Sequence, residues 1–494
     1  MHVSTALFAT IMLTLAAGLA APAGRAETPS PKPLPEIPLS QEEVLAWVDR
    51  THPLLKSAGT DKVVARGRLL KALSAFEPNL VNDTEVERFI RSTNPAAGTQ
   101  TGGFNDTFID FKHPSGIQGI AGYRQSLGPN ATIPDLRVFG DNQVLLGASI
   151  PLLRGLLINP ESAELKRSEF ADPRADIKIA ETRQGLFLAA ATQLWDWVSA
   201  AKFVDVATRA QAVAEDRMKQ IEQRAKAGAV APLDAVEANQ EVQRRKESAI
   251  AAQRLLEQEQ FKMSLFLWDQ GEPVRPSTGR APDFPSLQAS LTPEIVQTHK
   301  LQARTDRPEI REIDIEAKIN NIDLQLAKNN LLPSLDADAT PARSPEKFVL
   351  GLGYKFGLEL RVPLMQRRGR GEVLEAQGKA DRFVLTQKYR EQQVVVDVDN
   401  ALSAIERAKE RIAAAADSLR LARTLEEGER FRFSLGATSV LFVNLRERNA
   451  VDSEVQLIRA KADYQKALAN YQWAIGAWAR SVATAVPVNY APIR

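Results

Sequence analysis

Residues 391–476 read EQQVVVDVDN ALSAIERAKE RIAAAADSLR LARTLEEGER FRFSLGATSV LFVNLRERNA VDSEVQLIRA KADYQKALAN YQWAIG. Before Gly436, apolar residues fall at Val398, Ala401, Ile405, Ala408, Ile412, Ala415, Leu419 and Ala422. The steps alternate between three and four, a sustained heptad rather than a loose amphipathic face. One seam position is large and the other is always alanine, so a neighbouring helix can approach closely. After Gly436 the spacing resumes and ends at Tyr464, Leu468, Tyr471, Ile475 and Trp478. Two long helices are expected, folded back on each other at Ser434-Leu435-Gly436-Ala437. The rest of the chain reads as partner to this hairpin.

Outward from the hairpin, helix and strand signals alternate in long blocks. Ser40 with Glu43 makes a capping-box pair that opens a helix, interrupted near Thr51-His52-Pro53 and ended by Pro78. Residues 79–153 shift to Gly, Asn, Thr, Asp and Phe, with alternation at Thr107-Phe108-Ile109-Asp110-Phe111 and a turn signal at Pro114-Ser115-Gly116. A strand pair is expected there, with loops near 93–103 and 127–140. Helix returns from Glu161 to Ala225, breaks at Gly228, and resumes from Leu233 to Trp268. Proline-rich 269–291 is a crossover, and Thr292-Pro293-Glu294 starts a helix that reaches about Asn330. A second strand pair is expected at about 334–364, including an alternating run from Phe348 to Leu360. Arg367 begins the closing hairpin, and 482–494 reads as a loose tail.

Composition excludes several function classes. Lys and Arg number 63 against 61 Asp and Glu, a net charge of +2 that offers no basic field for nucleic acid. There is no cysteine, hence no disulfide, thiolate metal site, cysteine nucleophile or lipoprotein acceptor. Residues 6–21 form an apolar run followed by Ala21-Pro22-Ala23 and Gly24-Arg25-Ala26, which suit cleavage of a signal peptide over 1–26. Its leading residues carry only His2 and no Lys or Arg. Residues 27–38 read as a proline-rich linker. No later stretch approaches the roughly 20 apolar residues of a spanning helix, so an exported chain would be soluble or would enter a membrane as barrel strands.

The two halves repeat, taken as 39–268 and 292–481. Pro53 and Pro78 are 25 positions apart, as are Pro308 and Pro333. Pro151 to Gly228 spans 77 and Pro363 to Gly436 spans 73. Ile150-Pro151-Leu152 matches Val362-Pro363-Leu364, and Arg224 and Arg432 each precede their glycine by four. The expected fold is mainly α with a β-barrel part, made of two internal structural repeats. Each repeat is helix, strand pair, very long helix, glycine turn and long helix. A helix from Gly369 to Phe433 would be about 100 Å long, more than a compact domain can hold. The few strands cannot close a barrel alone, and pooling them around an axis of identical copies removes their edges.

These features resemble the TolC-type outer-membrane efflux channel family over 39–478. The resemblance is carried by Leu39-Ser40-Gln41-Glu42-Glu43 leading to His52-Pro53, by Arg307-Pro308-Glu309-Ile310, and by Leu332-Pro333-Ser334-Leu335. Pro151-Leu152-Leu153-Arg154-Gly155, Pro363-Leu364 and the hairpin with Tyr464 and Tyr471 complete it. It implies a homotrimer in which each protomer gives four strands to a twelve-stranded outer-membrane barrel. The helices would build a periplasmic α-barrel holding most of the chain. A periplasmic adaptor would link it to an inner-membrane transporter of a tripartite efflux or type I secretion system. No cofactor, catalysis or nucleic-acid partner is implied, and the cargo stays open among drugs, metal ions and polypeptides.

In that family the two hairpin glycines lie at the periplasmic tips, to which Gly228 and Gly436 correspond. Arg224 and Arg432 are adaptor-contact candidates, with helix capping as their simpler role. The family commonly has acidic residues six and nine positions past the second glycine, where this sequence has Phe442 and Leu445. Asp234 and Glu237 hold those places in the first half. The resulting hypothesis is a partly apolar gate with cation preference from Asp234 and Glu237. Its rival is that Phe442 and Leu445 pack between helices. Trp195, Trp197 and Trp268 are expected in helix packing, and Phe108, Phe111, Tyr123, Phe348 and Tyr354 are candidates for an aromatic belt. The four histidines show no metal spacing, and no nucleotide loop or nucleophile elbow occurs. The rival from another class is a soluble periplasmic coiled-coil scaffold or adaptor.

Overall fold

The computed structural model describes residues 37–90, 99–127, 143–343 and 354–479. All but Ile37 belong to the unit that begins at Pro38. The expected signal peptide, the tail at 482–494, nearly all of the linker and Phe348 lie outside these residues.

In chain order, α1 (Gln41–Thr51) and α2 (Pro53–Leu73) precede four strands: β1 (Asn79–Ile90), β2 (Thr99–Lys112), β3 (Gln118–Leu127) and β4 (Gln143–Pro151). Then come α3 (Pro160–Ser168), α4 (Ala171–Lys226), α5 (Pro232–Ser264) and the small hairpin β5 (Trp268–Asp269) with β6 (Glu272–Pro273). The second half holds α6 (Pro293–Asp306), α7 (Pro308–Asn329), β7 (Ser334–Arg343), β8 (Tyr354–Arg361), α8 (Arg367–Ser434) and α9 (Val440–Ala474). The Ser40–Glu43 capping box forms as read.

Two local expectations are corrected. The helix read through 292–330 breaks at Arg307, because Pro308 fits the first turn of a new helix better than the interior of an old one. The helix read from Glu161 is also divided, into α3 and α4.

At 68 residues α8 is about 100 Å long, and at 56 residues α4 is about 85 Å. Neither has a single partner. The first part of α8 lies on α7 and α6, where Asn320 donates to the Ala376 carbonyl at 2.9 Å and Lys300 pairs with Asp399. Its second part lies on α9 through Arg411–Asp463 and Arg423–Glu454. The heptad seam supplies the apolar contact. Val398, Ala401, Ile405, Ala408, Ile412 and Leu419 are buried, the first five of them in one cluster with Tyr464 and Tyr471. Each buried Val, Ile or Leu here contributes roughly 1.5–3 kcal/mol relative to exposure. Both tyrosine hydroxyls are satisfied: Tyr464 accepts from the Gln288 N–H at 2.9 Å, and Tyr471 lies 2.8 Å from His299 Nδ1. A second cluster gathers Val44, Val48, Leu194, Trp195, Trp197, Leu256 and Met263 from α1, α4 and α5. Trp195 and Trp197 are thus packed among helices, as expected.

The six long strands form one antiparallel sheet in the order β1-β2-β3-β4-β7-β8, apart from the small β5-β6 hairpin. This corrects the expectation of four strands in two pairs. The first half contributes four and the second half two. The turn at 113–117 is a true strand reversal, closed by the Gly116 N–H on the His113 carbonyl at 2.8 Å and the His113 N–H on the Ile117 carbonyl at 2.7 Å. β4 pairs with β7, so one sheet joins both halves of the chain.

Candidate functional site

The register sorts the sheet into two chemically distinct faces. One carries Leu80 and Val86 of β1, Ile109 and Phe111 of β2, and Ala121 and Tyr123 of β3. Val144, Leu146, Ala148 and Ile150 of β4, Leu335, Ala337 and Ala339 of β7, and Phe356, Leu358 and Leu360 of β8 continue it. The opposite face carries Asp83, Glu85, Asp106, Asp110, Arg124, Asp336, Asp338, Glu359 and Arg361. Asp106 and Arg124 form a bidentate pair at 2.5–2.6 Å, with the guanidinium 4.0 Å from the Phe104 ring centroid. A sheet with one mainly apolar face, where Asn82, Thr84, Asn105 and Thr107 bond one another, and one charged face suits lipid on one side and water on the other. Phe111 and Tyr123 lie on the apolar face, whereas Phe108, also read as a belt residue, belongs to the polar one.

At the far ends of the long helices, the two glycine turns are built alike. Gly228 and Gly436 both have φ +71°, which any side chain would strain. The Ala229 N–H bonds the Arg224 carbonyl at 2.8 Å, and the Ala437 N–H bonds the Arg432 carbonyl at 3.0 Å. Backbone therefore closes both helix ends, and the two guanidiniums, both in the last turn of their helices, reach further contacts. Arg224 lies over the Phe433 ring at 5.4 Å, reaching from one hairpin to the other, and Arg432 sits 3.4 Å from Glu429. Ile221, Ala238, Val440 and Phe433 form an apolar plug between the turns.

The four constriction candidates divide. Asp234 and Glu237 are half-buried at the start of α5. Phe442 and Leu445 are 52% and 42% exposed, on the side of α9 away from buried Val443, Asn444 and Glu447. Packing between helices of the same chain therefore does not explain them.

Sequence reading missed the charges just behind the turns. Glu447 of α9 is buried and accepts from Arg217 of α4 and Arg430 of α8, the latter at 2.7–2.9 Å. Arg217 also bonds Asn444 at 3.1 Å, and Arg430 pairs with Glu426. Glu241 of α5 pairs with Arg245 at 2.8 Å and lies 3.5 Å from Arg448 of α9. One carboxylate thus binds three long helices together. No local pattern announces it, since Arg217 and Glu447 are 230 positions apart.

Burial works against ionisation of Glu447, but Arg217 and then Arg430 prevail and hold its carboxyl below the usual 4.5. Neighbouring Glu426 is pushed upward, first by burial. A depressed carboxyl stabilises fully above its unfolded value and loses that contribution as pH falls through the folded one. The melting temperature should therefore decline below about pH 4.5, and the Glu447→Gln variant should decline less over the same range. Identical pH profiles for the two proteins would contradict this.

Among the described residues no group of acidic or histidine side chains is placed to hold a metal ion, and no helix is long and apolar enough to cross a membrane. Residues 301–477, from within α6 to just past the end of α9, match the family model described as outer membrane efflux protein. Over that segment, a little over a third of the chain, the protein is similar to the outer membrane efflux protein family. Nodulation protein T of Rhizobium leguminosarum bv. trifolii is 26% identical over 186 residues, which is 36% of this chain and 40% of that protein. The matched region therefore spans less than half of that relative. Solved outer membrane channels share the fold. The Campylobacter jejuni CmeC channel superposes with a TM-score of 0.65 at 13% identity, over 88% of this chain and 85% of its own. The open-state Neisseria gonorrhoeae MtrE channel gives 0.62 at 14% identity, over 88% of each chain. For Vibrio cholerae VceC the values are 0.63 and 12%, over 88% of this chain and 96% of the other. The matched family segment contains the Gly436 turn, β7 and β8.

Proposed function

We propose that this chain is a passive outer-membrane exit duct, assembled as a homotrimer and serving a tripartite efflux or type I secretion system. The observation that carries the reading is a two-faced sheet joined to helices up to about 100 Å long, in a chain whose segment 301–477 matches the outer membrane efflux protein model. The apolar face meets lipid, the polar face lines the pore, and the helices continue that pore through the periplasm. The chain performs no chemistry. Energy comes from an inner-membrane transporter reached through a periplasmic adaptor that meets the Gly228 and Gly436 turns. The similar order of helix, strands and hairpin in the two halves supports an origin by duplication. A soluble scaffold would account for the heptads but not for the apolar sheet face. Purified protein in a planar lipid bilayer should give discrete ohmic current steps, and a stable oligomer that never conducts would contradict the reading.

The turn end is the narrowest part, with Phe442 and Leu445 presenting apolar surface and Asp234 and Glu237 supplying negative charge nearby. Phe442→Ala should raise single-channel conductance, because a dewetting ring opens when its side chains shrink. An unchanged conductance would remove Phe442 from the constriction.

A further inference from the structure

We infer that the assembled barrel contains eighteen strands, six from each of three copies, with β1 of one protomer pairing with β8 of the next. The inference rests on the trimeric duct proposed above. β1 and β2 are part of the wall. Residues 103–110 of β2 pair with β1 along one edge and with β3 along the other. With 12 and 14 residues, β1 and β2 are at least as long as β3 and β4, with 10 and 9. A tilted strand needs about 9–11 residues to span a bilayer.

The turn between β2 and β3 rests on the helical end of the sheet. Asn159 donates to the Pro114 carbonyl at 2.9 Å, and Lys112 pairs with Glu161 at 2.6 Å. All six strands therefore run between the same two ends. The outward polar residues of β1 and β2 satisfy one another: Asn82 donates to Asn105 and Thr107, and Asn105 donates to Thr84, at 2.6–3.1 Å.

The two edges suit each other. β1 leaves the helical end right after α2, and β8 returns to it right before α8, so they run in opposite senses. An even strand number per copy then closes the wall without a parallel pair. Leu80 and Val86 on β1 and Phe356, Leu358 and Leu360 on β8 are exposed on the same apolar face. On the polar face, Arg361 of β8 meets an edge that carries Asp83 and Glu85. Unpaired edges of this length invite another strand.

At sixteen to eighteen strands a barrel encloses an aqueous channel. Among the described side chains its wall is acidic: Asp83, Glu85, Asp110, Asp336, Asp338 and Glu359 outnumber Lys112 and Arg361 once Asp106 and Arg124 neutralise each other. The barrel is a wide, cation-favouring mouth, and the turn end limits flow.

Because the chain has no cysteine, paired substitutions report contact between copies directly. One series combines Leu80→Cys, Asn82→Cys, Thr84→Cys or Val86→Cys on β1 with Phe356→Cys, Leu358→Cys or Leu360→Cys on β8. A second series combines the same β8 changes with Ala121→Cys or Tyr123→Cys on β3, the edge that a twelve-stranded barrel would use. Oxidised outer membranes are run on non-reducing gels beside single-cysteine controls. Dimer and trimer bands in the β1–β8 series, absent from the β3–β8 series, are expected. Bands from β3–β8, or none from any β1–β8 pair in protein that reaches the outer membrane as a trimer, would overturn the strand count alone. Protein that never reaches the outer membrane would overturn the duct reading and the strand count with it.

Discussion

Replacing Glu447 with alanine should loosen the turn end by about 3–5 kcal/mol, the usual effect of removing one partner from a buried ion pair. The stranded charge is mainly that of Arg217, which is nearly as buried as Glu447, while Arg430 reaches water and can rehydrate. The Arg217 bond to Asn444 survives, but it cannot neutralise a guanidinium. Because α4, α8 and α9 all meet at this carboxylate, its loss lets the two hairpins separate where their glycine turns lie. Trypsin cleavage at Arg224, Lys226 and Arg432 should then quicken by about 100-fold or more, since each 1.4 kcal/mol is a factor of ten in the open population. Cleavage within about threefold of the parent would show that Glu447 does not hold the hairpins together.

Placing arginine at Phe356 and Leu358 together should remove the protein from the outer membrane. Both lie on the apolar face of β8, and a lipid-facing arginine costs about 2–4 kcal/mol near the bilayer midplane. Glu359→Gln, one residue along on the polar face, is the control and should leave targeting intact. If the double arginine protein reached the outer membrane as fully as the parent, the apolar face would not be the lipid-facing one.

The difference between what could and could not be read from the sequence follows the range of each interaction. The α8 seam was legible because its repeat is written into one continuous helix: Val398, Ala401, Ile405, Ala408, Ile412 and Leu419 are all buried. The turns at Gly228 and Gly436 were legible because a positive φ favours glycine whatever lies around it. The extra strand pair was not. β1 reads NLVNDTEVERFI, with Asn82 and Thr84 on its apolar face and Val81 on its polar one, so alternation is broken on both sides. Those outward polar residues are satisfied across the strand by Asn105 and Thr107, a pairing that exists only after folding. The Glu447 cluster was hidden for a similar reason. Arg217, Glu426, Arg430 and Glu447 look like any charged helix surface until three helices converge on them. Phe442 and Leu445 were visible as a departure from the family pattern, while their exposure on α9 required the packing of Val443 and Glu447 behind them.

The most direct test of the duct account is the location and native mass of the mature protein, measured together. Membranes would be separated by density, and the protein extracted in mild detergent for mass measurement with bound detergent subtracted. A trimer recovered in the outer-membrane fraction is the predicted result. A monomer or dimer released with the soluble periplasmic contents would contradict the account and favour the coiled-coil scaffold.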